Sequence, residues 1–414
     1  MIDFTSTRLL DELQNLRLLP VVAEEGSFAG AARRLNCAAS VIMRSIESLE
    51  QAIGQSLLER HAAGVRLSSA GELVRARAVR IEAEIDLAAE LFQSAERVSP
   101  SLHTLRHVLG NGARQRLVLE LVRQGSARAA ADGLGMTQPG ISMALGRLER
   151  TLGAPLFERT RRGLRPSDQC VSLLKHINRI EAELRALCDE LDSAAGDIAG
   201  TVVLGLLTVA RLHLVPAAVI QVRRAHPRVK IRTMTLPFDR MLSALADGRI
   251  DLVVGVAGSA IEESGLRVTV LGGDELGIFL RSGHPLLAGP CPSLGQLSHA
   301  DWIMPRREAL SRRLIESCFA AADMAVPEAA VESTDTEFIR QLVLCSDMLA
   351  FASPQQFAFE LRNGSVARLP IPLGGTARET ALLERNEALP SPAVSLIRAA
   401  ICEQADIWAG QPEL

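Results

Sequence analysis

An internal repeat constrains this chain more than any other feature of its sequence. Gly26-Ser27 returns as Gly125-Ser126, 99 residues further on. The same offset, without a gap, carries Ala31-Ala32 onto Ala130-Ala131, Leu35 onto Leu134 and Leu49-Glu50 onto Leu148-Glu149. It continues through Gly54 and Gly153, Leu57 and Leu156, Glu59-Arg60 and Glu158-Arg159, and Gly64 and Gly163. A register held across both polar and apolar positions means two copies of one small domain in tandem. The 414 residues leave room for at least one further domain behind them.

Each copy has the layout of a helix-turn-helix. In the second, Leu117, Val118, Leu121 and Val122 form the apolar face of a first helix, which Gly125-Ser126 ends. Ala129, Ala130, Ala131 and Leu134 make a short second helix, and Gly135 makes the turn. Thr137 suits the N-cap of a third helix running to about Thr151, with Pro139 in its first turn, where a missing N–H costs nothing. Gly153 ends that helix, and an arginine-rich wing spans 155–166. A third helix with a polar leading end suits the major groove.

Charge separates the copies. The whole chain carries a formal charge of −3, so a nucleic-acid surface has to be local. Ten arginines and four acids between 114 and 166 leave +6, whereas 15–67 carries only +1. Each phosphate neutralised by arginine adds salt-dependent affinity, so the second copy has the electrostatic footprint of DNA binding.

The second copy resembles the DNA-binding domain of LysR-type transcriptional regulators. Gly125-Ser126, Ala130-Ala131, Thr137-Gln138-Pro139-Gly140-Ile141-Ser142, Leu148-Glu149, Gly153 and Leu156-Phe157-Glu158-Arg159 carry the resemblance. It implies contacts to bases and phosphates from Thr137, Gln138, Pro139 and Ser142, with Arg147, Arg159, Arg161 and Arg162 near the backbone. Gln138 is chemically suited to a base edge. The first copy departs where this chemistry matters. Ala38-Ala39-Ser40 stands for Thr137-Gln138-Pro139, and Met43 for Ser142. Two readings stay open: a degenerate structural or dimerising module, or auxiliary DNA contact through Ser40 and Arg44.

Behind the second wing, Cys170, Leu173, Ile177, Ile180, Leu184, Leu187 and Leu191 alternate spacings of three and four, a coiled-coil seam. In the resembled family a linker helix here pairs two subunits, which implies dimerisation through Leu173, Ile177, Ile180, Leu184, Leu187 and Leu191. The matching positions behind the first copy, Gly71, Val74, Ala78, Ile81, Ile85, Ala88 and Phe92, keep the register with smaller residues. Residues 94–111, with Pro100 and Gly110, read as a connector.

From about Gly200 strands and helices alternate. Strands are expected over 201–207, 229–235, 250–256, 266–271, 277–281, 302–304 and 348–352, with helices near 214–225 and 240–247, a βαβ order that implies a parallel sheet. The runs Gly200–Gly205, Leu214-Val215-Pro216, Gly248–Leu252 and His284-Pro285-Leu286 also resemble the LysR family. Its effector domain resembles a type 2 periplasmic binding protein, with a small-molecule cleft between two lobes. Met348–Pro354 lacks the glycine that often leads this strand in the family. Strand ends and helix N-termini place candidate effector contacts at Thr208, Thr235, Gly255, Ser333 and Thr334, in a setting that favours a carboxylate ligand.

The fold expected is therefore multidomain α and α/β. A degenerate winged helix-turn-helix covers 1–67, a linker helix and connector 68–113, the reader 114–166, a dimerising linker helix 167–196 and a two-lobed effector-binding domain 197–414. No P-loop, dinucleotide fingerprint, nucleophile elbow or metal motif occurs, so neither an enzyme nor a bound cofactor is expected. Seven cysteines without Cys-x-x-Cys spacing fit a reduced cytoplasmic protein. No tyrosine and 3% aromatics leave few platforms for stacking RNA bases. The function expected is a transcriptional regulator that binds double-stranded DNA as a homo-oligomer, dimer or tetramer, answers to a small-molecule effector and works with RNA polymerase, away from any membrane. The alternative is an interaction or co-repressor protein that does not read DNA itself.

Overall fold

The computed structural model describes residues 4–61, 64–93, 100–161, 163–194, 196–207, 210–212, 214–257, 265–307 and 309–409. In its N-terminal half one order of elements occurs twice. The first run is α1 (Phe4–Asp11), α2 (Leu13–Leu16), α3 (Leu18–Glu25), α4 (Phe28–Leu35), α5 (Ala39–Ile53), the hairpin β1 (Leu58–His61) and β2 (Gly64–Leu67), and the long α6 (Ser69–Glu90). The second is α7 (Leu102–Leu109), α8 (Gly112–Gln124), α9 (Ala127–Leu134), α10 (Gln138–Leu152), β3 (Phe157–Thr160) and β4 (Gly163–Pro166), and α11 (Asp168–Ser193).

The repeated residues are those that shape the chain. Gly26 and Gly125 end α3 and α8 in the left-handed region, at φ +62° and +61°. Ser27 and Ser126 then cap the next helix, accepting from Gly30 N–H at 3.0 Å and Ala129 N–H at 3.5 Å. The glutamate of each Leu-Glu pair ties a helix to its wing: Glu50 accepts from Leu57 N–H at 2.7 Å and Glu149 from Leu156 N–H at 2.8 Å. Gly64 and Gly163 lie where a Cβ would come within 2.3 Å of the Gly26 and Gly125 carbonyls, so a side chain there would push the wing off the helix end.

Two expectations change. Residues 94–111 do not form a mere connector, because α7 lies within them and buries Leu105, Val108 and Leu109; its threonine, histidines and arginine mask that apolar face. The seam assigned to a second subunit is occupied by α6 of the same chain. Leu173, Ile177, Ile180, Leu184, Leu187 and Leu191 are buried within one chain, where α11 packs along α6, and they share a single core with both repeats. The duplicate brings its own partner helix on the same chain.

The C-terminal half holds two five-stranded sheets. The first has the order β6-β5-β7-β14-β8, from β5 (Gly200–Leu206), β6 (Val229–Met234), β7 (Leu252–Val256), β8 (Leu266–Glu275) and β14 (Ala377–Arg385). The second has the order β11-β10-β12-β9-β13, from β9 (Gly277–Arg281), β10 (Trp302–Met304), β11 (Ala329–Glu332), β12 (Leu349–Ala352) and β13 (Val366–Leu369). The expected parallel sheet is in fact mixed. β5 runs parallel to β6 and β7, but β14 returns antiparallel to β7 and β8, and β9 runs antiparallel to β12 and β13. The chain crosses between the sheets after β8 and again before β14, which gives two lobes joined by two strands. Helices α12 (Leu214–Ala225) and α17 (Pro392–Ala409) cover one face of the first sheet and α13 (Phe238–Ala246) the other. The second sheet lies between α14 (Leu310–Ala321) and the pair α15 (Thr336–Cys345) and α16 (Ala358–Asn363).

Candidate nucleic-acid interface and effector domain

Helix α10 turns Ile141, Leu148 and Leu152 into the core. Its opposite side is left to solvent, and Thr137, Gln138, Pro139, Ser142 and Arg147 are all exposed there. Thr137 is the N-cap, its hydroxyl accepting from Gly140 N–H at 3.2 Å, so the leading end of the helix is fixed before any ligand arrives. Arg159 and Arg161 are exposed on the wing, and Arg162 lies outside the described residues. No ion pair engages Arg147, Arg159 or Arg161 among the described residues, which leaves their charges free for phosphate. Two further groups escaped the sequence reading. Met143 is 60% exposed beside Ser142, an apolar surface of the kind that meets a thymine methyl. Arg128 is exposed on α9, where the first copy has Ala29. An apolar residue at an outward helical position was the available signal for Met143.

The first copy presents the same scaffold with other chemistry. Ala38 occupies the N-cap of α5 with no side-chain acceptor. Ser40 is exposed, and Arg44 bends back to donate to the Ser40 carbonyl at 3.2 Å. Arg34 is drawn to Glu24 at 2.5 Å and to Glu25. This surface therefore offers fewer free cations than the second.

The candidate effector positions divide between the lobes. Thr235 is exposed just beyond β6, and Gly255 lies within β7, where a Cβ would meet the Leu207 side chain at 2.9 Å. Gly255 is thus a packing position one residue before its strand ends. Ser333 and Thr334 adjoin in the other lobe, between β11 and α15. Ser333 is buried and its hydroxyl accepts from Asp335 N–H at 3.0 Å, while Thr334 is exposed. Thr208 lies outside the described residues. His284 has a structural role: its Nδ1 accepts from Leu286 N–H at 3.0 Å, and its Nε2 meets the Asp347 carbonyl at 3.0 Å.

The first lobe is seated on the paired helices. Arg179 donates to the Ala246 carbonyl at 2.8 Å, Arg185 to Gly248 at 2.9 Å, and Arg77 of the first copy to Leu389 at 2.9 Å. A small cavity at this joint is lined by Arg185, Asp189, Asp251, Arg385 and Ser391, among others. Burial, with neighbouring Asp251 adding to it, pushes the Asp189 carboxyl up to about 7. Burial also raises Asp251. Among the described residues no group of His, Cys, Asp and Glu could hold a metal ion, and no helix is long and apolar enough to cross a membrane.

Comparison with known proteins agrees with this architecture. Residues 195–406 match the LysR substrate binding domain, and residues 13–72 and 114–170 each match the bacterial regulatory helix-turn-helix protein of the lysR family. The chain is 36% identical over 400 residues to the HTH-type transcriptional regulator GalR of Pseudomonas putida, covering 96% of this chain and 99% of that one. The regulator PcaQ of Agrobacterium fabrum is 27% identical over 296 residues, covering 71% of this chain and 95% of its own. Among solved structures, the LysR family regulator CbnR superposes with a TM-score of 0.52 at 17% identity, over 71% of this chain and 98% of that one. Full-length CbnR complexed with its target DNA gives 0.51 at 16% identity, over 70% and 99%. These relatives are regulators rather than enzymes, and the chain belongs to the LysR family of DNA-binding transcriptional regulators with an effector-binding domain.

Proposed function

We propose that the two repeats are tandem winged helix-turn-helix domains and that the second reads sequence. Gln138, with Thr137, Pro139 and Ser142, meets base edges, while Arg147, Arg159, Arg161 and Arg162 hold the phosphates. The observation that carries this is the exposed leading end of α10, capped by Thr137 and flanked by arginines without ion-pair partners. The first copy supports the fold and adds phosphate contact through Ser40 and Arg44. The C-terminal half is read as a two-lobed, periplasmic-binding-protein-like domain that takes a small molecule between its lobes. Thr208, Thr235, Gly255, Ser333 and Thr334 are its candidate contacts, and the ligand is read as a carboxylate that the exposed Thr235 and Thr334 hydroxyls meet, since the N-terminus of α15 is already capped by Asp335. The regulator works in the cytoplasm, acts on RNA polymerase at its promoters, and associates further through surfaces outside the filled helical seam.

The test is a fluorescence binding assay on a promoter fragment from upstream of the gene. Gln138→Ala should cut discrimination against a scrambled fragment by roughly 1–3 kcal/mol. Arg161→Ala should weaken binding to both fragments alike and lower the salt slope by about 0.9. Unchanged sequence-specific affinity in both variants would remove this assignment.

A further inference from the structure

We infer that one chain is a complete two-reader DNA-binding unit, an internal dimer whose halves are the two repeats. The ion pairs between α6 and α11 carry the argument. Glu183 is met by Arg77 at 2.6 Å and Arg80 at 2.7 Å. Glu84 is met by His176 at 2.8 Å and Arg179 at 3.4 Å. The repeat offset of 99 turns residues 77, 80 and 84 into 176, 179 and 183. The second set is therefore the first with the two helices exchanged, as a two-fold axis between them requires. The pairs also run in opposite directions along the helices, so α6 and α11 lie antiparallel.

Packing elsewhere obeys the same symmetry. Helix α1 packs on α11 and its counterpart α7 on α6, so each copy is fastened to the other's long helix. Arg116 pairs with Asp11 of the first copy; its counterpart Arg17 departs from the symmetry, because Gly110 stands where Asp11 does, and it pairs with Glu82 of its own copy while its Nη1 reaches the Arg106 carbonyl of the second at 3.5 Å. At Gly112 the two copies come so close that a Cβ would lie 1.7 Å from the Leu10 carbonyl. The seam is apolar, filled and continuous in one chain, so the DNA-binding half needs no second copy.

The consequence is an asymmetric reader. A symmetric dimer presents two like recognition helices to a palindrome. Here α10 carries Gln138 and free arginines, and α5 carries Ala38, Ala39 and Arg44. One chain spans two adjacent half-sites, one read by base identity and the other held through phosphate. The symmetry is broken further by Arg77, which also binds Glu190 and the Leu389 carbonyl and so joins both long helices to a single effector domain.

The first experiment tests the internal dimer apart from DNA. The full chain carrying Arg80→Cys and Glu183→Cys is treated with a short bis-maleimide beside the parent, whose exposed Cys37, Cys291 and Cys345 set the background. The symmetry mate, Glu84→Cys with Arg179→Cys, guards against a folding defect in the first. Both double variants should link within a single 44.5 kDa chain, and a mixture of the two single variants should give no linked product above the parent. A two-chain product from the mixture, or no link in either double variant, overturns the inference.

The second experiment rests on the DNA-binding reading. On the same promoter fragment, sedimentation should find one chain per pair of adjacent half-sites. Footprinting should show Gln138→Ala losing sequence preference on one side only. Two chains on such a site overturn the internal dimer. A protein that links internally but binds no DNA overturns the DNA-binding reading instead.

Discussion

Replacing Arg77 by leucine is the sharpest perturbation of the joint between the two copies. The side chain is 1% exposed, and its guanidinium serves three acceptors: Glu183 at 2.6 Å, Glu190 at 2.5 Å and the Leu389 carbonyl at 2.9 Å. Burial works against the charge, but the two carboxylates outweigh it and raise the pKa of Arg77. Removing one partner of a buried ion pair costs about 3–5 kcal/mol, because the other charge is stranded. Glu183 keeps Arg80 at 2.7 Å, so its share of the loss is reduced. Glu190 has no other cation among the described ion pairs, though its 11% exposure admits some hydration. The expected loss is therefore near the lower end, about 3 kcal/mol. Arg75→Ala, which breaks only an exposed pair with Glu72, should cost less than about 0.5 kcal/mol. Denaturant unfolding followed by far-UV circular dichroism reads the helical half, while fluorescence of Trp302 and Trp408 reads the other. Arg77→Leu should move the dichroism transition to lower denaturant. A change below about 1 kcal/mol would mean that water, not Arg77, satisfies the two carboxylates, and the reasoning would fail.

Other outcomes follow from single residues. Thr137→Ala deletes the N-cap of α10 and should cost about 1 kcal/mol of stability and, on the proposed reading, weaken DNA binding; Ala38→Thr at the uncapped counterpart should gain up to about 1 kcal/mol in a thermal melt. Gly163→Val forces a side chain against the Gly125 carbonyl at a positive φ, and should destabilise the second wing and lower promoter affinity more than Arg161→Ala does. Asp189 should make stability fall as pH rises. Its folded pKa of about 7 lies above the ordinary carboxylate value, so its contribution is complete below about pH 4 and is lost as pH climbs towards 7. Asp189→Asn should therefore melt several degrees higher than the parent at pH 8, and the difference should shrink at pH 5; equal differences at both values would refute the assignment.

Much of the local structure around the candidate site was legible because it rests on local chemistry. Gly125-Ser126 marks a helix end and Thr137-Gln138-Pro139 a helix start, each settled within a few residues, whereas the tie from Glu149 to the wing needed the folded chain. The strands missed were those with weak local signals. β11 and β13 are four residues long with mixed burial, and β14 opens on Arg378 and Glu379, so their membership depends on neighbours far away in sequence. Helix α7 was missed because only three of its eight residues are fully buried.

By itself the sequence determined the duplication, the start, cap and end of α10 and the unequal charge of the two copies. It also determined that Leu173 through Leu191 needs an apolar partner helix, but not which one. A heptad seam encodes spacing and hydrophobicity, which a second copy or an earlier helix satisfies equally well. Only the tertiary structure decided for α6. Its smaller Ala78, Ile81, Ile85 and Ala88 face α11 with matching ion pairs. Joining the two helices in one chain raises their effective concentration above what a separate copy supplies.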